Sequence, residues 1–188
     1  EVVIFDPVER RFTIQNGARG LSTTLTFDEI RHKMDSLEPR TKQYIEELRA
    51  AGTPSAERMA DTFDFQLRPR FEQSYDPMEE SLILSSPSFT YRVETRKWDG
   101  ADQVQRYLTY ADWTAQLTFI LHPNSLLPAP RIALNAALRK LKDRMPITVE
   151  LDLRPNDKLH LRAAHQLTRN LSEDDRRRIA KWDADRKS

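Results

Sequence analysis

The sequence predicts an α+β fold in which a curved antiparallel sheet, arranged as a meander or half-barrel, packs against several helices. Segments in which apolar and polar side chains alternate, a pattern typical of half-buried strands, occur near both ends of the chain and in its middle. Between them, apolar residues recur every three or four positions, which is typical of amphipathic helices. Because the chain has 188 residues, of which 38% are hydrophobic, we expect a single α+β domain over residues 1–188.

Three strands are predicted at the N-terminus. Residues 2–5 and 11–15 flank a short connection that contains Pro7, as in an antiparallel hairpin. A third strand is predicted over residues 21–25, where β-branched threonines favour an extended backbone. Residue 1 is glutamate and an apolar run starts directly after it, so we expect that a leader or further strands precede this segment in the full protein.

Two helices are predicted after the third strand. Thr26 and Glu29 have the spacing of a capping box, which predicts that a helix starts there. Its apolar stripe is expected to be interrupted at Pro39 and to continue beyond it. Pro54 at a first helical position predicts a second, short helix that ends at Ala60.

A long half-buried strand is predicted over residues 63–75, because its large apolar side chains share one parity. Pro69 lies inside this segment and cannot donate a hydrogen bond to a neighbouring strand, so the strand is expected at an edge of the sheet or with a bulge. Two further strands, over residues 82–84 and 89–93, would complete a meander in the middle of the chain.

Two more helices are predicted in the second half of the chain. Apolar residues from Val104 to Phe119 fall on one wide helical face, which predicts a mostly buried helix. A loop that contains three prolines separates it from a second helix over residues 132–142, whose outer faces are basic. Both helices are expected to cover the sheet.

A β-hairpin and a last helix are predicted near the C-terminus. Residues 147–153 and 159–167 alternate on either side of the turn Pro155-Asn156-Asp157, which is the pattern of a hairpin. Ser172 and Asp175 have capping-box spacing and predict the start of the final helix.

The charge and the composition of the chain argue against several classes of partner and site. Thirty Lys and Arg residues balance 29 Asp and Glu residues, so no global positive field favours nucleic acid. No apolar run approaches the roughly 20 residues that cross a bilayer, so we expect no transmembrane segment. The chain has no cysteine, which excludes disulfides, thiolate metal sites and a cysteine nucleophile. The composition gives no indication of the oligomeric state.

We expect no bound metal and no cofactor. His160 and His165 are the closest pair of histidines, yet their parities differ, and a strand would direct them to opposite faces. His165 has the apolar parity and is interpreted as a hydrogen-bonded core histidine. The four glycines lack the spacing of a phosphate-binding loop or of a dinucleotide fingerprint.

An aromatic face on the predicted strands is the first candidate binding site. If helices cover this face, it is ordinary core, whereas a strongly curved sheet could leave a cavity there for an acyl chain or a similar apolar ligand. The candidate ligand-binding residues are Phe63, Phe65, Phe71, Phe89 and Tyr91.

A basic segment is the second candidate. It would either contact an anionic surface or form a solvated helix face. The candidate surface-contact residues are Arg131, Arg139, Lys140, Lys142 and Arg144.

Four stretches of the sequence carry a resemblance to a known superfamily. They are the opening hairpin with Asp6-Pro7, the strand Phe89-Thr90-Tyr91-Arg92-Val93, the helical stretch Tyr110-Ala111-Asp112-Trp113, and the late strand Met145-Pro146-Ile147-Thr148-Val149-Glu150-Leu151. In this order they resemble secreted bacterial proteins of the lipoprotein-carrier (LolA-like) and lipoprotein-localisation-factor superfamily. The resemblance implies a curved antiparallel sheet wrapped around helices, and export to the periplasm or cell surface. It supplies no catalytic residue, and the helical stretch over residues 26–60 departs from the superfamily's usual pattern.

The leading functional interpretation is an exported, non-enzymatic domain that binds an apolar lipid-like ligand or a protein partner on the curved sheet. One alternative is a structural protein-interaction module without ligand, which predicts a filled core and a large exposed apolar patch. Another is a hydrolase-type enzyme whose site is assembled from scattered residues such as His165, Asp112 and Arg92. No catalytic motif is present to assign.

Overall fold

The computed structural model of this chain describes residues 2–16, 20–153, 159–168 and 170–185. Helices make up 47% of the structure and strands 30%, and both sheets are antiparallel and open. The predicted α+β class is therefore confirmed. In the described part of the chain, no helix combines the length and the apolar character that crossing a membrane requires.

The three N-terminal strands are confirmed, and they form a sheet of their own in the order β1-β2-β3. The register places Phe12 opposite Phe5 on one side and Leu25 on the other. In the first turn, Asp6 Oδ1 accepts hydrogen bonds from the backbone N–H groups of Val8 and Glu9. The strands are β1 (Val2–Asp6), β2 (Arg11–Asn16) and β3 (Leu21–Thr26).

Helix α1 (Phe27–Ala50) begins at the predicted capping box. Thr26 Oγ1 accepts from the Glu29 N–H at 3.2 Å, and Glu29 Oε2 accepts from the Thr26 N–H at 2.8 Å. The predicted interruption at Pro39 does not occur, because α1 runs through it. Pro39 is exposed, so the backbone hydrogen bond that it cannot donate is lost on the solvent side of the helix.

The strand predicted over residues 63–75 is wrong for its first half. Helix α2 (Pro54–Leu67) continues past Ala60, and the strand β4 begins only at Glu72. The sequence contains no glycine or proline between Pro54 and Pro69, so nothing ends the helix earlier. Phe63 and Phe65 therefore lie on a helix.

The remaining strands form a second sheet in the order β4-β5-β6-β7-β8, which confirms the meander. The two strands of the predicted C-terminal hairpin pair with each other, and the turn predicted at Pro155-Asn156-Asp157 lies outside the described residues. A bulge at Ile147, beside Pro146, shifts the register of β7 against β6. The strands are β4 (Glu72–Asp76), β5 (Ser81–Ser85), β6 (Phe89–Lys97), β7 (Arg144–Leu153) and β8 (Leu159–Ala164).

Helices α3 (Ala101–Leu121), α4 (Ala129–Lys140) and α5 (Glu173–Asp185) are confirmed. Ser172 and Asp175 make the reciprocal hydrogen bonds of a capping box at the start of α5. The predicted helices over 104–119 and 132–142 correspond to α3 and α4, which both contribute buried residues to the face of the five-stranded sheet.

Two hydrophobic cores hold the fold together, and α3 contributes to both. The main core lies between the five-stranded sheet and helices α3 and α4; its largest fully buried residues are Leu84, Phe89, Val93, Val104, Leu108, Leu134 and Leu138. The N-terminal core joins the three-stranded sheet, α1 and the second half of α3; its buried residues are Phe12, Phe27, Ile30 and Leu117. Because α3 is one continuous helix, the two cores share a rigid element.

Candidate functional site

A cavity of about 620 Å³ lies between α3, the loop that joins α3 to α4, and strands β6 to β8. The sheet side is formed by side chains of one parity from three neighbouring strands. The register places Tyr91, Leu151 and Leu161 in one row across the sheet, with Val149 beside Ala163 in the next row. This common face is the direct result of the alternation in the sequence.

The helix side of the cavity exists because α3 has small residues where it faces these strands. Tyr107, Ala111 and Ala115 recur every four positions and line the cavity together with Thr114 and Thr118. Larger side chains at positions 111 and 115 would fill the space between the helix and the sheet. The N-terminal half of α3 carries Val104 and Leu108 into the main core instead.

The α3–α4 loop closes one end of the cavity with Leu126, Leu127 and Pro128. The loop is fixed to α2 by a buried hydrogen bond, in which the Leu127 N–H donates to Gln66 Oε1 at 2.8 Å. At the opposite side, Leu159 and Leu161 on β8 keep 43% and 46% of their surface exposed. The cavity therefore opens to solvent along β8.

Arg131, in the first turn of α4, brings a cationic group to the cavity wall. Its Nε donates to Asn135 Oδ1 at 3.3 Å, and its charge acts on the Tyr107 side chain. Burial raises the pKa of Tyr91 to about 12, and burial also raises the pKa of Tyr107, while the charge of Arg131 opposes both shifts. Both phenols are therefore protonated near neutral pH and can donate hydrogen bonds.

His165 completes the polar part of the wall. Both of its ring nitrogens lie 3.4 Å from Tyr107 Oη, and its backbone N–H donates to the Ile147 carbonyl oxygen at 2.8 Å. The ring of His165 therefore contacts Tyr107, and the residue is half-buried at a cavity, not inside the core as predicted. Burial, followed by the charge of Arg131, lowers its pKa, so the ring is neutral at neutral pH.

The lowered pKa of His165 predicts how stability changes with pH. Its pKa lies below 6.5 in the folded protein, while in the unfolded chain it is expected near 6.5. The unfolded state therefore binds more protons in this range, so the free energy of unfolding should begin to fall as the pH drops below about 6.5 and should level off below the folded-state pKa. Tyr107 from α3 and Arg131 from α4 are the titratable groups that face the ring.

Urea denaturation across the range of about pH 5 to 8 checks this prediction. His165→Gln should lose this part of the pH dependence, whereas His122→Gln, which changes an exposed histidine outside the cavity, should keep it. Equal pH dependence in the wild type and the His165 variant would contradict the expected proton linkage.

The structure brings four of the five aromatic residues predicted as a ligand-binding face into one cluster, in which the rings of Phe71 and Tyr91 lie 5.9 Å apart. Phe65, Phe71 and Phe89 pack together within the main core, where the rings of Phe65 and Phe89 stack with centroids 4.9 Å apart. Phe63 points away from the sheet and meets Tyr44 of α1 at 5.4 Å. Of the five residues, Tyr91 alone lines the cavity.

The predicted basic segment does not form one surface. Arg139 is bound by Asp112 at 2.5 Å, and Arg144 is bound by Glu80. Arg131 lies at the cavity, which leaves Lys140 and Lys142 as the exposed members. Contact with an anionic surface stays a prediction, and it would depend on these two lysines.

The three residues considered for a scattered catalytic site have separate partners. Arg92 pairs with Asp152, whose other oxygen is 2.7 Å from His160 Nδ1. Asp112 binds residues of α4, and His165 lies at the cavity. Among the described residues, no hydrogen bond or ion pair joins any two of Arg92, Asp112 and His165, and no three His, Asp or Glu side chains are placed to share a metal ion.

Comparisons of the chain with protein-family models, curated proteins and solved structures gave no significant match. The resemblance in element order to the lipoprotein-carrier superfamily therefore stays a prediction. The function has to be argued from the geometry of the cavity.

Proposed function

We propose that this chain is a non-enzymatic domain that binds an apolar, lipid-like ligand in the cavity between α3 and strands β6 to β8. The observation that carries the proposal is the cavity itself. Its volume of about 620 Å³ falls within the ~300–1,000 Å³ typical of small-molecule sites. Leucine, valine, alanine and tyrosine side chains dominate its walls, and a few polar groups meet at one end, as is common in such sites.

The open side of the cavity supports a ligand that enters laterally. Leu159 and Leu161 are apolar, are about half exposed and lie on the last strand of the described sheet. An acyl chain lying against them would remove apolar surface from water, at roughly 25 cal/mol per Å². The resemblance to exported lipoprotein carriers supports a location in the periplasm or at the cell surface.

A protein partner is the second candidate, because β8 is exposed along its whole length. A strand from a partner could add to this edge of the sheet and cover Leu159 and Leu161. The two candidates differ in their dependence on the cavity: a partner strand would bind the edge of β8 whether or not the space beside α3 is filled.

Filling the cavity is the decisive change for the ligand proposal. Ala115→Trp places a large side chain in the space between α3 and the sheet, and we expect it to weaken binding of a fluorescent fatty acid by at least about tenfold. The measurement is a fluorescence titration, combined with native mass spectrometry of gently purified protein to detect a co-purified apolar molecule.

Ala133→Trp is the matched control. Ala133 is a half-exposed alanine on α4 that does not line the cavity, so the variant makes the same change elsewhere. It should bind like the wild type. The proposal is wrong if the wild-type protein neither co-purifies with an apolar molecule nor binds the fatty acid. It is also wrong if the two tryptophan variants bind the fatty acid equally well.

A further inference from the structure

Arg131 is a half-buried cation without a carboxylate partner in the described part of the chain. Its Nε donates to Asn135, which is neutral. Its charge also acts on Tyr91, Tyr107 and His165, and the shifted pKa values of these three groups leave them neutral near pH 7. A guanidinium held among neutral groups beside an apolar cavity is costly unless an anion can reach it.

Other arginines nearby show that pairing is the rule in this region. Arg139, two turns further along α4, binds Asp112, and Arg144 at the start of β7 binds Glu80. Arg162 contributes to the cavity lining, but its Nε lies 3.2 Å from Glu150 Oε1 on the opposite face of the sheet. Among the described residues of the cavity wall, Arg131 is therefore the uncompensated cation, that is, the one that no carboxylate pairs with.

The position of Arg131 in α4 adds to this imbalance. The first turn of α4 contains no acidic residue, so the positive end of the helix dipole and the guanidinium lie together. Aspartate or glutamate is favoured at such a position and a cation is disfavoured. A bound anion at this end of the cavity would be attracted by both charges.

We infer that the ligand is an amphiphile whose head group is an oxyanion with a single negative charge, a carboxylate or a phosphodiester, and that Arg131 binds this head group while the chain occupies the apolar cavity. The inference rests on the proposed ligand-binding function and specifies the class of ligand.

The other polar groups at this end suit an oxyanion. An arginine has five N–H donors, so the contact with Asn135 leaves donors for a ligand. The protonated hydroxyl of Tyr91 can donate as well. The Thr114 hydroxyl is buried and has no hydrogen-bond partner among the described protein groups. With one uncompensated cation, a single negative charge is balanced, whereas a doubly charged phosphate monoester would not be.

The test compares ligands that share a ten-carbon chain and differ in the head group: decanoate, decanoyl-lysophosphatidylglycerol and decanol. Calorimetric titration of the wild type should show at least one anion binding about tenfold more tightly than decanol, as expected for a charge-assisted contact. Arg131→Met should lose this preference and retain the affinity for decanol, which also shows that the variant is folded. Arg131→Gln serves the same purpose if the methionine variant does not fold.

Lys140→Met is the matched control, because it removes one positive charge from the exposed face of the same helix. It should keep the preference for the anion. If decanol binds the wild type as tightly as both anions, the inference about Arg131 is overturned while the cavity function stands. If none of the three ligands binds, the cavity function itself fails, and the assignment of Arg131 fails with it. The anion that binds more tightly distinguishes a carboxylate from a phosphodiester.

Discussion

Replacing Phe12 with alanine is expected to lower the free energy of unfolding by about 3–5 kcal/mol, the usual cost of removing a buried phenylalanine side chain. Phe12 is completely buried, and its ring lies 5.2 Å from Phe5 and 5.9 Å from Phe27. Phe27 in turn stacks on Trp113 of α3 at 4.0 Å. The substitution therefore removes the centre of an aromatic cluster that fastens the three-stranded sheet to α1 and α3.

The same experiment tests whether the two cores unfold together. Trp113 packs in the N-terminal core and Trp98 packs against the main core, so variants that retain one of these tryptophans report on each core separately. Because α3 is shared, we expect both fluorescence transitions to shift to lower urea concentration by the same amount. This result would support the prediction of a single domain over residues 1–188.

Val8→Ala is the control for Phe12→Ala. Val8 is 85% exposed in the turn between β1 and β2, and its truncation should change the stability by less than about 0.5 kcal/mol. A shift confined to the Trp113 signal would show that the N-terminal core unfolds independently. A loss below about 1 kcal/mol for Phe12→Ala would mean that the aromatic cluster is not the main attachment of this sheet.

The sequence predicted most of the fold because most elements bury one face only. Such elements leave an unambiguous period, as in the wide apolar face of α3. Strand β8 alternates in sequence too, although it is exposed along its whole length. Helix α2 breaks this rule. Phe63 contacts α1 while Phe65 contacts β6, so two residues that are about 200° apart around the helix are both packed. A helix with apolar residues on opposite sides imitates the alternation of a strand.

The cavity was less accessible to sequence analysis for a different reason. The sequence pattern of an apolar face is the same whether the side chains of the opposing element fill the space in front of it or leave a cavity there. The sign in the sequence was the spacing of Ala111 and Ala115 after Tyr107, but small residues in a helix are also typical of close packing against another helix. Their effect depends on the distance between α3 and the sheet, which the rest of the fold determines.

The role of Arg131 depended on contacts distant in sequence. In the sequence, Arg131, Arg139 and Arg144 look equivalent within one basic segment. The carboxylates that neutralise the other two come from 27 and 64 positions away, and no residue supplies one for Arg131 in the described structure. The difference between a surface cation and a binding group arises only when the chain is folded.

Replacing Asp112 with alanine is expected to cost about 2–3 kcal/mol, because the carboxylate is the acceptor for two groups that the fold encloses. Asn135 Nδ2 donates to Asp112 Oδ1 at 2.7 Å, and Asn135 has no exposed surface. Arg139 Nη2 lies 2.5 Å from Asp112 Oδ2. Without the carboxylate, a buried amide loses its acceptor and a half-buried guanidinium loses its counter-charge. Thermal and urea denaturation measure this cost.

Asp112→Asn separates the two contributions, since its amide oxygen can still accept from Asn135 while the charge that balances Arg139 is gone. We expect it to lose less stability than Asp112→Ala, by about 1 kcal/mol. The network also reaches the cavity, because Asn135 Oδ1 accepts from Arg131 Nε. Asp112→Ala should therefore weaken decanoate binding more than decanol binding by releasing Asn135. Equal stability of the two Asp112 variants would show that the charge, and not the buried hydrogen bond to Asn135, is what α3 contributes to α4 at this point.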